Sequence, residues 1–269
     1  MQRGLSLTKV QTHDRQPIPG VKETVAVSSG KGGVGKSTMC VNLAVALAAE
    51  GLSIGLMDTD IYGPNVPGML GVSERPQVVP GTQTIRPAEA HGLSLISMGL
   101  LVEAGVPVIW RGPMLAKMVS QFLFSVEWGD LDILLLDLPP GTGDVQLTLT
   151  QMAPLTGAVI VTTSSTLALE DVGRGVQMFR QTDVPILGLI ENMSTFTCDS
   201  CSTESHPFGQ GGGASATSAL DIPFLGEIPL DPSLRSGADD GTPAFISQPQ
   251  SPASQAIRGI SRGLLEKLA

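Results

Sequence analysis

Nine consecutive residues near the start of the chain, Gly30-Lys31-Gly32-Gly33-Val34-Gly35-Lys36-Ser37-Thr38, restrict its fold more than any other stretch. They satisfy G-x-x-x-x-G-K-[ST], a pattern that carries weight only between a strand and a helix. Both flanks comply, since Thr24-Val25-Ala26-Val27-Ser28 reads as a short buried strand and Met39 to Glu50 as a helix. Glycines at such a junction let successive backbone N–H groups converge on an anion, and the helix N-terminus adds partial positive charge. Lys36 then reaches the outer phosphates of a nucleotide, and the Ser37 hydroxyl ligates Mg²⁺.

Lys31 adds a second cation near the start of the loop, which an ordinary phosphate loop does not need. Either it is a solvated loop charge, or it works beside the phosphates. It could do so within its own chain or across a dimer interface, like an arginine finger, a device worth ~10³–10⁵ in rate.

Strand-like runs alternate with helix-like ones along the rest of the chain. The strands are expected at Val25 to Ser28, Ser53 to Met57, Leu93 to Ser97, Val106 to Trp110, Ile133 to Asp137, Ala158 to Thr162, Ile186 to Ile190 and Phe224 to Ile228. These runs are continuously apolar, as strands covered on both faces are. Met114 to Phe124, Leu169 to Gln181 and Ser254 to Leu268 carry apolar residues at helical spacing. The expected fold class is therefore α/β, a three-layer arrangement with a mostly parallel sheet flanked by helices. With 269 residues, 42% of them hydrophobic, residues 23–269 are expected to form a single domain behind a flexible leader, residues 1–22. Thr195 to Ala216 lacks periodicity and reads as a mobile loop.

In such sheets, ligands sit beyond the carboxyl ends of the strands. Leu134-Leu135-Leu136-Asp137 ends an apolar strand in a carboxylate suited to holding the Mg²⁺ hydration shell, and Gly141 and Gly143 follow as a loop able to sense the γ-phosphate. Asp58 and Asp60 flank one residue, so in an extended segment both point the same way. Asp60 is assigned to positioning the attacking water and Asp58 to the neighbourhood of Mg²⁺. The proposed catalytic set is Lys31, Lys36, Asp60 and Asp137.

A formal charge of −9 argues against a phosphate-tracking surface, so nucleic acid is not an expected partner. No apolar run reaches the roughly eighteen residues of a membrane span, and Met1 to Gly20 lacks an apolar signal core. A cytoplasmic protein without stable membrane association is expected. Its three cysteines, Cys40, Cys198 and Cys201, are too few for a disulfide framework; Cys40 belongs in the helix after the phosphate loop as a core residue.

The double-lysine loop occurs together with Asp58-Thr59-Asp60-Ile61-Tyr62-Gly63-Pro64, Trp110-Arg111-Gly112-Pro113-Met114, Asp137-Leu138-Pro139-Pro140-Gly141-Thr142-Gly143-Asp144 and Glu191-Asn192-Met193-Ser194. In this combination the chain resembles the Mrp/ApbC family of iron–sulfur cluster carriers, relatives of the MinD and ParA ATPases. The resemblance runs from about Ile18 to the C-terminus. It implies a P-loop NTPase with a deviant, double-lysine phosphate loop, and a homodimer that binds ATP at facing sites. It further implies a [4Fe–4S] cluster held between the subunits before delivery to apo iron–sulfur proteins. By the same resemblance Lys31 is the signature lysine, Asn192 and the Pro229-Leu230-Asp231 segment lie near adenine, and Cys198 and Cys201 are the cluster ligands. Ser164-Ser165 departs from the Pro-Gln pair of many relatives.

The cysteines themselves leave more than one outcome open. Cys198-Asp199-Ser200-Cys201 supplies two thiols, whereas a [4Fe–4S] cluster usually takes four, a number that two copies about a two-fold axis would provide. Zinc on Cys198, Cys201 and His206 is an alternative, as are a redox pair and two plain loop cysteines. Three functions follow from these readings: a cluster carrier with weak ATPase activity, a positioning ATPase resembling MinD or ParA, and a reductase resembling the nitrogenase iron protein. For the second, Ile257, Ile260, Leu264, Leu265 and Leu268 would have to form the apolar face of an interfacial helix, although a helix packed on the sheet has the same pattern.

Overall fold

The computed structural model describes residues 16–60, 63–101 and 112–269. The strand expected at Val106 to Trp110 lies outside them, as do Ile61, Tyr62, Arg111 and the first fifteen residues of the expected leader.

The chain runs β1 (Val21–Ser28), α1 (Lys36–Ala49), β2 (Ile54–Asp58), α2 (Val66–Met69), the short strands β3 (Gln77–Val78), β4 (Ile85–Arg86) and β5 (Ala88–Ala90), then β6 (Leu93–Ser97) and α3 (Gly112–Phe124). It continues through β7 (Leu131–Asp137), α4 (Asp144–Met152), β8 (Gly157–Thr162), α5 (Thr166–Gln181), β9 (Ile186–Asn192), β10 (Phe196–Thr197), β11 (Glu204–Ser205) and α6 (Gly212–Leu220). The last elements are β12 (Phe224–Ile228), α7 (Pro232–Asp239), α8 (Ala244–Ser247) and α9 (Pro252–Leu268).

Eight strands form one sheet in the order β12-β9-β8-β1-β7-β2-β6-β5. Every neighbouring pair is parallel except the antiparallel edge pair β5–β6. Alternate strand residues serve opposite faces of the sheet. Val25, Val27, Ile133, Leu135 and Leu56 enter the core layer shared with α1 and α9, whereas Ala26, Leu134, Leu136 and Met57 enter the layer shared with α3, α4 and α5. Because both faces are covered, the strands read as unbroken apolar runs. Helix α1 is buried from Met39 through Leu47, and Cys40 is a core residue, as expected.

Two expectations need correction. Ile18 is buried and β1 begins at Val21, so the last residues assigned to the leader pack with the domain. The stretch from Thr195 to Ala216 holds a hairpin, β10–β11, followed by the start of α6. Two-residue strands are too short to show an alternating pattern, which is why the segment looked structureless in sequence.

Candidate functional site

The register of the central strands assembles the site. Asp137 ends β7 and lies beside Val27 of β1 and Asp58 of β2, so two carboxylates meet at adjacent strand ends under the phosphate loop. Lys36 opens α1, and its Nζ donates to Asp137 Oδ1 at 2.7 Å. Ser37 Oγ donates to Asp137 Oδ2 at 2.6 Å, and Lys36 Nζ also reaches Ser37 Oγ at 3.2 Å. Lys36 is 6% exposed and Asp137 0%, so each charge offsets the desolvation cost of the other. Burial raises the Asp137 carboxyl above its ordinary range, while Lys36 opposes that rise. Lys36 is thus held on a carboxylate at the mouth of the loop, next to the hydroxyl that would ligate Mg²⁺.

The loop leaves room for a phosphate chain. Ser29, Lys31, Gly32, Gly33, Gly35, Lys36, Ser37 and Thr38 line a cavity of about 230 Å³ with Asp60 and Pro140 on its walls. Gly35 has φ +85°, and a Cβ there would lie 2.3 Å from Asn192 Nδ2, so both its conformation and its neighbour require glycine. A second cavity of about 210 Å³ shares Gly35 and Thr38 and is walled by Asn192, Met193, Pro229, Leu230, Asp231 and Leu234. Asn192 Nδ2 donates to Val34 O at 2.9 Å, whereas its Oδ1 is buried without a hydrogen-bond partner. An unmet buried acceptor beside a cavity suits the exocyclic amine of a base. The residues therefore fit a nucleoside triphosphate, phosphates over the loop and base beyond Thr38. Asp231 lines this second cavity, yet its carboxylate caps α7 through Ser233 N at 2.9 Å and also meets Ala253 N at 3.3 Å.

The two aspartates of the β2 end do not point the same way. The strand stops at Asp58, whose Oδ1 accepts from Asp60 N at 3.0 Å and whose Oδ2 accepts from Ser97 Oγ at 2.8 Å. Asp58 is fully buried behind the cavity wall, and only Asp60 reaches the lining. Asp58 thus supports the turn that carries Asp60 to the cavity, while its own carboxylate stays beside Asp137 beneath the lining. Burial pushes the Asp58 carboxyl up to about 7, and the nearby Asp137 adds to the effect.

Gln146 escaped the sequence reading. From α4 its Nε2 donates to Ser28 Oγ at 3.0 Å and to Pro139 O at 2.7 Å, tying the phosphate-loop strand to the loop after Asp137. Gly141 N donates to Ser29 O at 3.0 Å and closes the same seam. Lys31 is half-buried, with Nζ 3.4 Å from Ser165 Oγ, so the serine after β8 meets the loop's additional lysine.

Cys198 and Cys201 sit in the turn between β10 and β11. Cys198 N donates to Thr203 O at 3.0 Å and Ser202 N to Cys198 O at 2.8 Å, which folds the turn so that Cys198 is half-buried and Cys201 exposed. Thr203, and then Cys198, hold the Cys201 thiol below its ordinary pKa. His206 Nδ1 lies 3.1 Å from Ser194 O, pinning the hairpin to the β9 end. Among the described residues of one chain no group of three or more His, Cys, Asp or Glu side chains is placed to hold a metal, so the two cysteines stand as a pair.

Helix α9 buries Ile257, Ile260 and Leu264 against the sheet and α1, so its apolar face is already covered. Among the described residues no helix is long and apolar enough to cross a membrane.

Comparison with known proteins agrees with this geometry. The ParA family model, described as NUBPL iron-transfer P-loop NTPase, matches residues 20–265. An iron-sulfur cluster carrier protein of Synechocystis is 49% identical over 260 residues, covering 95% of this chain and 74% of that protein. A nucleotide-binding protein from Archaeoglobus fulgidus, in complex with ADP, superposes with TM-score 0.75 at 36% identity, over 84% of this chain and 89% of its own. The cell division ATPase MinD of Pyrococcus furiosus superposes with TM-score 0.68 over 92% of this chain and 99% of its own, and at 22% identity it shows a common fold alone. With its double-lysine loop, paired strand-end carboxylates and matched sequence from end to end of the domain, the chain belongs to the ParA/NUBPL family of iron-transfer P-loop NTPases.

Proposed function

We propose that the protein is an iron–sulfur cluster carrier whose two copies, each binding Mg–ATP, hold one [4Fe–4S] cluster between their cysteine turns and pass it to apo-proteins. The observation that carries this reading is the turn itself. It presents two thiols, one exposed with a lowered pKa, and no third ligand stands with them among the described residues. Four thiolates are the usual complement of such a cluster, and a two-fold axis doubles the pair. The cluster would then be cargo, exposed at a seam and released when the seam opens. Free thiols of this kind suit a reducing compartment, and the cytoplasm is the proposed location.

In the nucleotide site, Mg²⁺ when bound would lower the charge repulsion between phosphates and attacking water. Ser37 is the residue that would ligate it, with Asp137 holding its water shell. The chain's own groups do the rest: Lys36 exchanges its contact with Asp137 for the outer phosphates, the backbone from Gly30 to Thr38 cradles the phosphate chain, and Asp60 orients water. Lys31 supplies the additional cation, within its own site or in the partner's. Asn192 offers its Oδ1, and Pro229 and Asp231 their segment, to the base.

The test is anaerobic reconstitution with iron and sulfide, read by visible absorption. Wild-type protein is expected to gain a brown chromophore, and Cys198→Ala or Cys201→Ala to lose it. A variant lacking both cysteines that bound the same iron would end the proposal.

A further inference from the structure

Helix α6 follows directly on the segment that carries the cysteines, and its N-cap residue, Gly211, has no side chain to offer. Two neighbouring residues at strand ends supply the missing acceptors. Gly212 N donates to Ser164 Oγ at 3.1 Å, and Gly213 N to Glu191 Oε2 at 2.6 Å. Ser164 Oγ in turn donates to Glu191 Oε1. Glu191 is fully buried, and a Cβ on Gly213 would stand 2.7 Å from its Oε2, so a larger residue there would push the carboxylate away from the helix end.

The next residue along each strand end holds the phosphate loop. Ser165 Oγ meets Lys31 Nζ at 3.4 Å, and Asn192 Nδ2 donates to Val34 O at 2.9 Å. Two adjacent pairs, Ser164-Ser165 after β8 and Glu191-Asn192 at the end of β9, therefore each touch the nucleotide loop with one member and the helix behind the cysteine turn with the other. A ligand that draws Lys31 toward phosphate, or engages Asn192, pulls on both pairs at once. A close-packed clamp absorbs little of such a displacement.

We propose that the Ser164–Glu191 hydrogen bond couples the phosphate loop to the cysteine hairpin, so that filling the nucleotide site changes the accessibility of Cys198 and Cys201. Ser164 and Glu191 are positioning residues that act through α6. The inference rests on the carrier reading for its purpose, but its test uses no iron, so the two fail separately.

The experiment measures the iodoacetamide alkylation rates of Cys198 and Cys201 by peptide mass spectrometry in metal-free, full-length protein, with and without Mg²⁺ and a non-hydrolysable ATP analogue. Cys40, fully buried, is the internal control. In wild type the analogue is expected to change the rates by about fivefold or more, the lower range of ordinary coupling between sites. Ser164→Ala is expected to bring that ratio toward one with analogue affinity retained, and Ser164→Thr to restore it. Should Ser164→Ala fail to fold, Glu191→Gln, which turns one acceptor into a donor at constant size, is expected to reduce the ratio in its place. A wild type without any response, a Ser164→Ala protein with the wild-type ratio, or a variant whose rates rise equally in both states would each overturn the coupling.

Discussion

Replacing Asp58 with asparagine isolates the electrostatic strain of the paired carboxylates. The side chain is fully buried, and both of its oxygens accept hydrogen bonds, from Asp60 N and Ser97 Oγ. Asparagine keeps the size, its Oδ1 can serve Asp60 N, and its Nδ2 can donate to Ser97 Oγ, so packing is preserved. What disappears is a carboxyl whose pKa rises from an ordinary 3.8 to about 7 on folding. Between those values the native state holds a proton that the unfolded chain has released, so wild-type stability falls as pH rises through the window and levels off above it. Each unit of difference corresponds to about 1.4 kcal/mol, so between roughly pH 5 and pH 8 the wild type should lose about 2–3 kcal/mol relative to Asp58→Asn. Urea unfolding of both proteins across that range, without nucleotide and with a chelator, gives the comparison directly. A stability difference that stays flat with pH would refute the claim that burial and Asp137 strain this group.

Lys36→Ala leaves Asp137 buried without its counter-ion and is expected to cost about 3–5 kcal/mol in urea unfolding, as well as nucleotide binding by calorimetry; an equally stable variant would mean the pair is not closed in solution. Lys31→Ala should retain nucleotide affinity while hydrolysis falls by about 10³ or more, measured by phosphate release, if Lys31 acts as a catalytic finger. An unchanged turnover would reduce it to a loop charge. Iodoacetamide should modify Cys201 faster than Cys198 in the metal-free protein, because Cys201 is exposed and Thr203 favours its thiolate; Thr203→Val should reduce the preference to what exposure alone supplies, and equal rates in wild type would contradict it.

The central sheet was legible because parallel strands buried on both faces leave continuous apolar signatures. Leu131–Asp137 is the plainest case, ending in the carboxylate that receives Lys36 from 101 residues away. Each partner of that ion pair stood in its own recognisable local pattern, so the long separation did not hide it. The aspartates at 58 and 60 misled because an extended geometry was assumed across them, whereas the strand ends at Asp58 and its own carboxylate folds the next turn. The β10–β11 hairpin left no periodicity to detect, with two residues in each strand. Glu191 and Gly213 are each unremarkable in sequence, and their meeting depends on how α6 returns to the sheet. Gln146 gave no signal either, since a glutamine within an amphipathic helix looks the same whether it faces solvent or, as here, ties two strand-end loops together.

Carriage by this protein requires one cluster shared by two chains, and native mass spectrometry of anaerobically reconstituted protein tests that most directly. The expected species is a dimer carrying a single four-iron, four-sulfide cluster, absent when Cys198 or Cys201 is replaced by alanine. A monomer that retained a complete cluster, or a dimer with one cluster on each chain, would contradict it.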